Sequence, residues 1–322
     1  MSIWKKIRYR IEWLLVATAS VVVPVLPRPV LLWVAKCLGS VAYFCDKRGR
    51  TTALENLRVV FGEEKSEKER RLITRRSFQY FARSMLDLFW GANLTKDNFE
   101  RYMEIDMGDA EADGRMEQGG IYITPHYGNF EWIALMMGFR GRPFHVVAQD
   151  FKNPHLTKLF RKRREHSGHE VISSERAMIR MLKVLRRGGN AAFLSDLTVK
   201  PSKAAIVIEC FGLKTCVTVL HGLLVDRTGV PVVAGVAIPR PDGTYLMKVY
   251  DGPNYGEGAS LQEITQACWD VFEPLVREFP DPWLWMYKHW RFRPRGEEGA
   301  RYPDYANHSK AFDKVAARAE AG

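Results

Sequence analysis

The chain has 322 residues, of which 46% are hydrophobic, and it carries a formal net charge of +11. This length and apolar content exclude a disordered protein and suffice for one large domain with appendages or for two smaller domains. A basic surface attracts phosphates, anionic lipid headgroups or acidic proteins, and nucleic acid would suit the charge equally well. The five cysteines form no CxxC pair and no cluster with histidine, which favours reduced thiols and argues against a structural zinc.

The first 45 residues differ in composition from the rest. Basic residues precede the apolar run WLLVATASVVVPVLP, and a second apolar stretch leads to the charged residues at 46–50. The first run is shorter than the ~20 residues of a straight membrane-spanning helix, and Pro24, Pro27 and Pro29 interrupt the chain between the two apolar stretches. We therefore predict a membrane-associated helical segment over residues 1–45.

Four interpretations of this segment compete. A cleaved signal peptide has the same order of basic and apolar residues, but the hydrophobicity continues where a polar mature start is expected. A single spanning helix, an interfacial or re-entrant hairpin kinked at the prolines, and the core helix of a soluble protein all remain open. Because basic residues lie on both sides of the segment, the positive-inside rule does not choose an orientation.

The next segment, to about residue 93, is predicted to be helical. Ser66 and Glu69 form a capping-box pattern before a stretch in which apolar residues recur at helical spacing. From about residue 119, short apolar runs rich in Val and Ile alternate with helical segments. The runs are IYIT, FHVVAQ, EVIS, AAFLSD, AAIVIECF, PVVAGVAI and TYLMKVY.

These runs predict an α/β fold with a mixed, largely parallel central sheet flanked by helices. We expect this domain to cover residues 46–295. The remaining residues, 296–322, are charged and poor in large apolar side chains, and we expect a loosely held polar tail.

One pair of a histidine and an acid stands at a predicted junction between a strand and a helix. His126 and Glu131 lie five residues apart in TPHYGNFEW, but three other histidines have an acid at the same spacing. Only at His126 does a predicted strand end at a proline, with Gly128 for a tight turn and Asn129 as a helix cap. If His126 lies in the turn and Glu131 in the first helical turn, the imidazole can fold back onto the carboxylate.

A carboxylate that holds one imidazole nitrogen leaves the other nitrogen free to take a proton from a hydroxyl. The chain has no GxSxG motif, so the hydroxyl that is activated is expected to belong to a substrate. The alternative is a structural histidine beside a glutamate that caps the helix.

The sequence around His126 resembles a known family. HYGNFEW resembles the Hxxxx(D/E) signature of the lysophospholipid acyltransferase superfamily, and its surroundings resemble the lipid A late acyltransferases. The further matches, in chain order, are ENLRVVFG at 55–62, KNP at 152–154, Arg164 followed by Gly168, Asp196 at the end of a predicted strand, ECFG at 209–212, and PWLWMYKHWRFRP at 282–294.

The resemblance implies acyl transfer from an acyl thioester, on acyl carrier protein or coenzyme A, to a hydroxyl of a phosphorylated lipid at the cytoplasmic face of the inner membrane. It implies that His126 is the general base and that Glu131 orients it. Asn129, Arg164 and Asp196 match family positions near the active site and are expected to bind substrate. Arg164 could equally lie on a solvated basic face, and Asp196 could cap a helix.

Several features agree with this function. Thioester attack needs no metal or cofactor, and the sequence shows no cluster of metal ligands. The closing run at 282–294 is aromatic and basic, which suits either a membrane interface or an ordinary core. The segment after Asp196 has Lys and Ser where many relatives carry a glycine-bearing loop, which leaves the acceptor open.

Two alternatives also remain: transfer to another lysolipid or glycolipid, and an inactive lipid-binding protein. A nucleic-acid partner is disfavoured because the basic residues form no recognisable motif.

Overall fold

The computed structural model describes residues 3–108, 119–148, 150–173, 175–296 and 299–320. Its helices are α1 (Ile3–Val25), α2 (Arg28–Cys45), α3 (Lys47–Phe61), α4 (Glu67–Trp90), α5 (Phe130–Phe139), α6 (Pro154–Arg164), α7 (Ala177–Arg186), α8 (Leu220–Thr228), α9 (Leu261–Asp270), α10 (Glu273–Glu278) and α11 (Lys310–Glu320). Its strands are β1 (Met103–Asp106), β2 (Ile121–Thr124), β3 (Phe144–Ala148), β4 (Glu170–Ser173), β5 (Asn190–Leu194), β6 (Ala205–Cys210), β7 (Leu213–Thr218), β8 (Val232–Pro239), β9 (Tyr245–Tyr250), β10 (Phe292–Arg293) and β11 (Asn307–His308).

A seven-stranded sheet forms the centre of the protein, in the order β1-β9-β8-β2-β5-β3-β4. Neighbouring strands are parallel except β8 and β9, which pair antiparallel. Because side chains alternate along a strand, Ile121 and Ile123 of β2 enter one core cluster while Tyr122 enters another. Helix α7 contributes Met181 to the first cluster, and α5 contributes Met136 to the second. The predicted mixed, largely parallel sheet flanked by helices is therefore confirmed.

All seven predicted strands are present, but one of them lies outside this sheet. The run AAIVIECF forms β6, which pairs antiparallel with β7 in a separate hairpin. Strands β1 and β7 were not predicted, because MEID and LKTCVT carry charged residues among their apolar ones. The capping box of Ser66 and Glu69 is present at the start of α4.

The N-terminal segment forms two helices that meet at Pro27. Among the described helices, α2 has the length and apolar composition that a membrane span requires. Its residues Leu31, Ala35 and Gly39, spaced by four, are buried against the rest of the protein. A Cβ at Gly39 would lie 2.4 Å from the Cα of Gln79, so the close packing of α2 on α4 requires glycine there.

The outer faces of α1 and α2 are unusually apolar for a surface. The exposed side chains include Trp4, Leu15, Val21, Trp33, Val41 and Phe44. An exposed apolar face of this extent marks an interaction site, such as a membrane interface.

The C-terminal segment is held more firmly than its composition indicates. Helix α11 packs on β6, and its residues Phe312 and Val315 are 0% and 3% exposed. They join Ala205, Val207 and Cys216 in a small satellite core. The expectation of a loosely held tail is therefore wrong, because two apolar residues at helical spacing are enough to dock a short helix.

One buried histidine predicts a pH-dependent stability. His221 in α8 is 1% exposed, and neither ring nitrogen has a hydrogen-bond partner among the described residues. Burial lowers its pKa to about 4. The unfolded chain therefore binds a proton more readily than the folded one between about pH 6.5 and 4. The stability that depends on a neutral His221 is fully present above the pKa of the unfolded state, and it is lost as the pH falls through that window.

We expect His221→Leu to reduce the slope of the free energy of unfolding against pH by about 1.4 kcal/mol per pH unit within this window. Denaturant unfolding at pH 7 and pH 5 measures the difference. His155→Gln, which alters an exposed histidine, serves as the control and is expected to keep the wild-type slope. Equal slopes for His221→Leu and wild type would contradict the prediction.

Candidate active site

Two adjacent parallel strands bring the central residues of the site together. Strands β2 and β5 pair in parallel, with Thr124 opposite Leu194. His126 and Asp196 each lie two residues beyond the end of their strand. Carboxyl ends of parallel strands meet at one edge of the sheet, which is a common location for ligand sites in α/β proteins.

The imidazole of His126 is held by Asp196. His126 Nδ1 lies 2.7 Å from Asp196 Oδ1, and the backbone N–H of His126 donates to Asp196 Oδ2 at 2.9 Å. Trp283 Nε1 donates to the same Oδ2 at 2.9 Å. The Asp196 side chain is fully buried, so these three donors fix its orientation. With Nδ1 carrying the proton toward Asp196, Nε2 is the basic atom of the imidazole.

Asp196 is suited to remain ionised. Burial by itself would raise the pKa of this carboxyl, but the charge and hydrogen bonds of His126 outweigh burial and lower the pKa below its ordinary value. An ionised carboxylate at this distance stabilises a protonated imidazole.

The aromatic run at 282–294 forms the wall behind this pair. Trp283, Trp285 and Trp290 are all 0% exposed. The ring of His289 stacks on Trp283 with a centroid separation of 4.1 Å. Burial lowers the pKa of His289, which favours its neutral form. Of the two alternatives left open by the sequence, these tryptophans therefore lie in the core and not at a membrane interface.

Glu131 does not hold the imidazole, and this prediction is corrected. Its carboxylate instead accepts a bidentate pair from Arg164, with Nε to Oε2 at 3.0 Å and Nη2 to Oε1 at 2.5 Å. Two parallel charge-assisted hydrogen bonds of this kind are strong and directional. The carboxylate that faces His126 comes from Asp196, 70 residues along the chain.

Arg164 stays charged in this position. Burial would lower its pKa, but the Glu131 carboxylate outweighs burial and raises it. The Arg164 side chain is 28% exposed and lines the same cavity as His126 and Glu131. It is therefore placed beside the catalytic histidine candidate and is not on a solvated basic face.

Asn129 and Asp196 were predicted to bind substrate, but both side chains are buried and hydrogen-bonded within the protein. Asn129 is 0% exposed. Its Oδ1 accepts the backbone N–H of Trp132 at 3.1 Å, which confirms the predicted cap of α5, and its Nδ2 donates to Asp87 at 3.2 Å. The oxygens of Asp196 are occupied by His126 and Trp283. In this structure both side chains therefore contact other residues of the protein.

The loop that carries His126 is fixed by its backbone. Gly128 has φ of +55°, and a Cβ there would lie 1.9 Å from the carbonyl oxygen of Ala237, so glycine is required. The N–H of Gly128 donates to Pro282 O at 3.1 Å, and the N–H of Leu284 donates to His126 O at 3.1 Å. These contacts fix the backbone from which the His126 side chain extends.

An apolar cavity of about 470 Å³ lies beside His126. One face of the central sheet supplies much of its wall, through Tyr122, Val146, Ala192 and Val233 on neighbouring strands. The lining is mostly apolar, with His126, Glu131 and Arg164 among its polar members. Such a pocket suits a ligand with a long apolar part and a reacting group at the imidazole.

The class of the protein follows from this fold and from comparison with known proteins: it is an O-acyltransferase of the late acyltransferase type. The chain belongs to the bacterial lipid A biosynthesis acyltransferase family, whose match covers residues 3–292. It is also similar to the lipid A biosynthesis lauroyltransferase of Escherichia coli (strain K12), with 23% identity over 292 residues, which are 90% of this chain and 94% of that protein. The family resemblance seen in the sequence is confirmed. A lipid acceptor and an acyl donor follow from the family.

Proposed function

We propose that the protein transfers an acyl chain from an acyl thioester to a hydroxyl of a lipid A precursor, with His126 as the general base. The observation that carries this proposal is the 2.7 Å contact between His126 Nδ1 and Asp196, beside an apolar cavity. The contact leaves Nε2 to receive a proton, and the cavity can hold the hydrocarbon chain.

The reaction follows from this geometry. Nε2 of His126 removes the proton of the acceptor hydroxyl as its oxygen attacks the thioester carbonyl carbon. A carbon–oxygen bond forms, and the tetrahedral intermediate then breaks its carbon–sulfur bond. The leaving thiolate takes the proton from the imidazolium, which Asp196 stabilises meanwhile. Histidine therefore ends the cycle in its starting form.

Arg164 is the proposed substrate-binding residue. A guanidinium has five N–H donors, and Glu131 engages the Nε and Nη2 groups. The remaining donors can bind an anionic group of a substrate, such as a phosphate or a developing oxyanion. In this arrangement Glu131 holds the guanidinium in place.

The donor is proposed to be acyl carrier protein or acyl-coenzyme A, and the acceptor a phosphorylated lipid. The net charge of +11 supports both, since each of these partners is anionic. We propose further that the protein acts at the cytoplasmic face of the inner membrane. The apolar outer faces of α1 and α2 support attachment to a bilayer.

Packing of α2 on α4 supports an interfacial hairpin over a spanning helix. Ser40 of α2 accepts hydrogen bonds from Gln79 and Arg75 of α4. If α2 crossed the bilayer in this arrangement, the charge of Arg75 would enter the membrane as well. A charged side chain inside the bilayer is costly, by about 2.5–3.5 kcal/mol or more at the centre. We therefore infer that α1 and α2 lie along one membrane surface.

The cavity predicts a variant with altered donor preference. Ala192→Phe places a ring in the middle of the cavity wall, between Tyr122 and Val146 on the neighbouring strands. We expect kcat/KM for a long-chain thioester to fall about 10- to 50-fold, because the chain loses apolar contact area. A short-chain thioester of the same carrier serves as the control and is expected to react at nearly the wild-type rate. Equal losses for both donors would exclude this cavity as the acyl site.

The proposed function is tested with the purified full-length protein in detergent. Acyl thioesters on acyl carrier protein and on coenzyme A are supplied with a phosphorylated lipid A precursor, and products are followed by mass spectrometry. We expect an acylated precursor. Preference for a lysophospholipid acceptor, or equal use of a phosphate-free acceptor, would overturn the acceptor assignment. Absence of transfer with every pair would favour a lipid-binding protein.

A further inference from the structure

A buried charge network connects the N-terminal hairpin to the loop of His126. At its centre is Asp87 of α4, which is 0% exposed. Arg28 donates to both carboxylate oxygens of Asp87. Asp87 Oδ2 also accepts from Asn129 Nδ2 at 3.2 Å and from the hydroxyl of Tyr245. One carboxylate thus joins α2, α4, β9 and the start of α5.

Arg28 is tightly enclosed at the first residue of α2. Its side chain is 11% exposed, and its guanidinium lies 5.0 Å from the ring centres of both Trp90 and Trp132. Its Nη2 also donates to the carbonyl oxygen of Gly243 at 2.9 Å. Burial would lower the pKa of Arg28, but Asp87 outweighs burial and raises it, so the guanidinium stays charged.

The network reaches the imidazole through the backbone. Asn129 caps α5 and lies three residues after His126. The hydroxyl of Ser84, one helical turn before Asp87 on α4, donates to the carbonyl oxygen of Gly128. Trp132 Nε1 donates to the carbonyl oxygen of Asp87 at 2.9 Å. Helix α4 therefore holds the loop and the first turn of α5 at three points.

Stability alone does not account for this network. Taking a charged pair out of water is costly, and an apolar pair of similar volume is often as stable or more so. What the carboxylate provides is direction: it holds the Asn129 amide with Nδ2 toward Asp87 and Oδ1 toward the cap of α5. An amide without that acceptor would leave a buried N–H unpaired, at a cost of about 1–3 kcal/mol.

We propose that Asp87 is a positioning residue for His126, and that its pairing with Arg28 makes the geometry of the catalytic loop depend on the docking of α2. The membrane-facing hairpin and the reacting group are then parts of one rigid unit. This inference rests on the proposed role of His126. It gives the buried pair a function in the reaction, although neither residue touches the cavity.

The test separates positioning from stability. Asp87→Asn keeps the shape but removes the charge that orients Arg28 and Asn129, and we expect kcat to fall about 10- to 100-fold, since small displacements of a reacting group have effects of this size. KM for the acyl donor is expected to change less than about twofold, because the cavity wall is intact. Arg28→Lys keeps the charge but loses the bidentate contact, and a smaller loss of kcat is expected.

Two further variants provide the controls. The double variant Arg28→Met/Asp87→Leu removes both charges of the pair, although Arg83 and the Asn129 amide still lose this acceptor. We expect it to regain part of the thermal stability that Asp87→Leu alone loses, while kcat stays low. Phe312→Ala destabilises the protein in the satellite core, none of whose residues belongs to the Asp87 network, and its kcat in the folded state is expected to match the wild type.

A wild-type kcat in the folded double variant would overturn the positioning role. So would a loss in Phe312→Ala as large as that in Asp87→Asn. The failure of the proposed function is a separate result, because it would show as undiminished transfer by His126→Ala.

Discussion

Replacing His126 by alanine is expected to lower kcat for acyl transfer by about 10⁴-fold, the upper range for loss of a general base. The attacking hydroxyl would then have no group to take its proton, and no other described side chain lies in the same relation to Asp196. Initial rates with purified variant and wild type at saturating donor measure the loss.

Donor binding provides the control for this variant. The imidazole is a small part of the cavity lining, so we expect the dissociation constant of a non-transferable donor analogue to stay within about threefold of wild type. Near wild-type rates in His126→Ala would contradict the catalytic role. Loss of donor binding together with rate would instead indicate a damaged cavity.

Replacing Asp196 by asparagine is expected to lower kcat by about 10²- to 10³-fold with little change in KM. The carboxylate accepts hydrogen bonds on both oxygens from His126 and Trp283, whereas an amide has one oxygen. Its NH₂ group would therefore lie against an N–H of one of these two residues, where no hydrogen bond can form. The imidazole would lose both its fixed tautomer and the charge that stabilises its protonated form. Steady-state kinetics with one donor and one acceptor measure the effect.

Glu131→Gln is the matched control for Asp196→Asn, because it makes the same chemical change on the other carboxylate near the site. Its partner is Arg164 and not the imidazole, so we expect a smaller loss of kcat and a larger change in KM. A greater loss of kcat in Glu131→Gln than in Asp196→Asn would restore the pairing that the sequence predicted.

The fold was largely predictable because its strands are local patterns. Short runs rich in Val and Ile between helical segments mark buried parallel strands, and all seven such runs form strands. The pairing of strands was not predictable from these patterns. The edge strand β1 depends on pairing with β9, which lies far along the chain. Strand β7 pairs locally with β6, but its sequence is partly polar.

The site was predictable in its histidine but not in its carboxylate. The junction of strand, proline and glycine identified His126 from neighbouring residues alone. Choosing between Glu131 and Asp196 requires knowing that β2 and β5 are adjacent, which brings residues 70 positions apart within hydrogen-bond distance. Arg164 also had to be placed before the direction of Glu131 could be known.

Asp87 shows a signal that sequence reasoning missed. It stands in the run SMLDLFW, where an acid among large apolar residues is expected to be buried with a partner. Its partner Arg28 is one of the few charges in the apolar N-terminal segment. The sequence does not show which residue is that partner, because only the docking of α2 on α4 brings Arg28 to Asp87.

The most direct test of the central claim is the protonation state of the His126 ring, measured by ¹⁵N NMR of histidine-labelled protein at neutral pH. The signal is assigned by its loss in His126→Asn. We expect the neutral form of the ring to carry its proton on Nδ1 and to leave Nε2 unprotonated, and we expect Asp196→Asn, but not Glu131→Gln, to change that tautomer. A neutral form with its proton on Nε2 in the wild type, or no response to Asp196→Asn, would contradict the account.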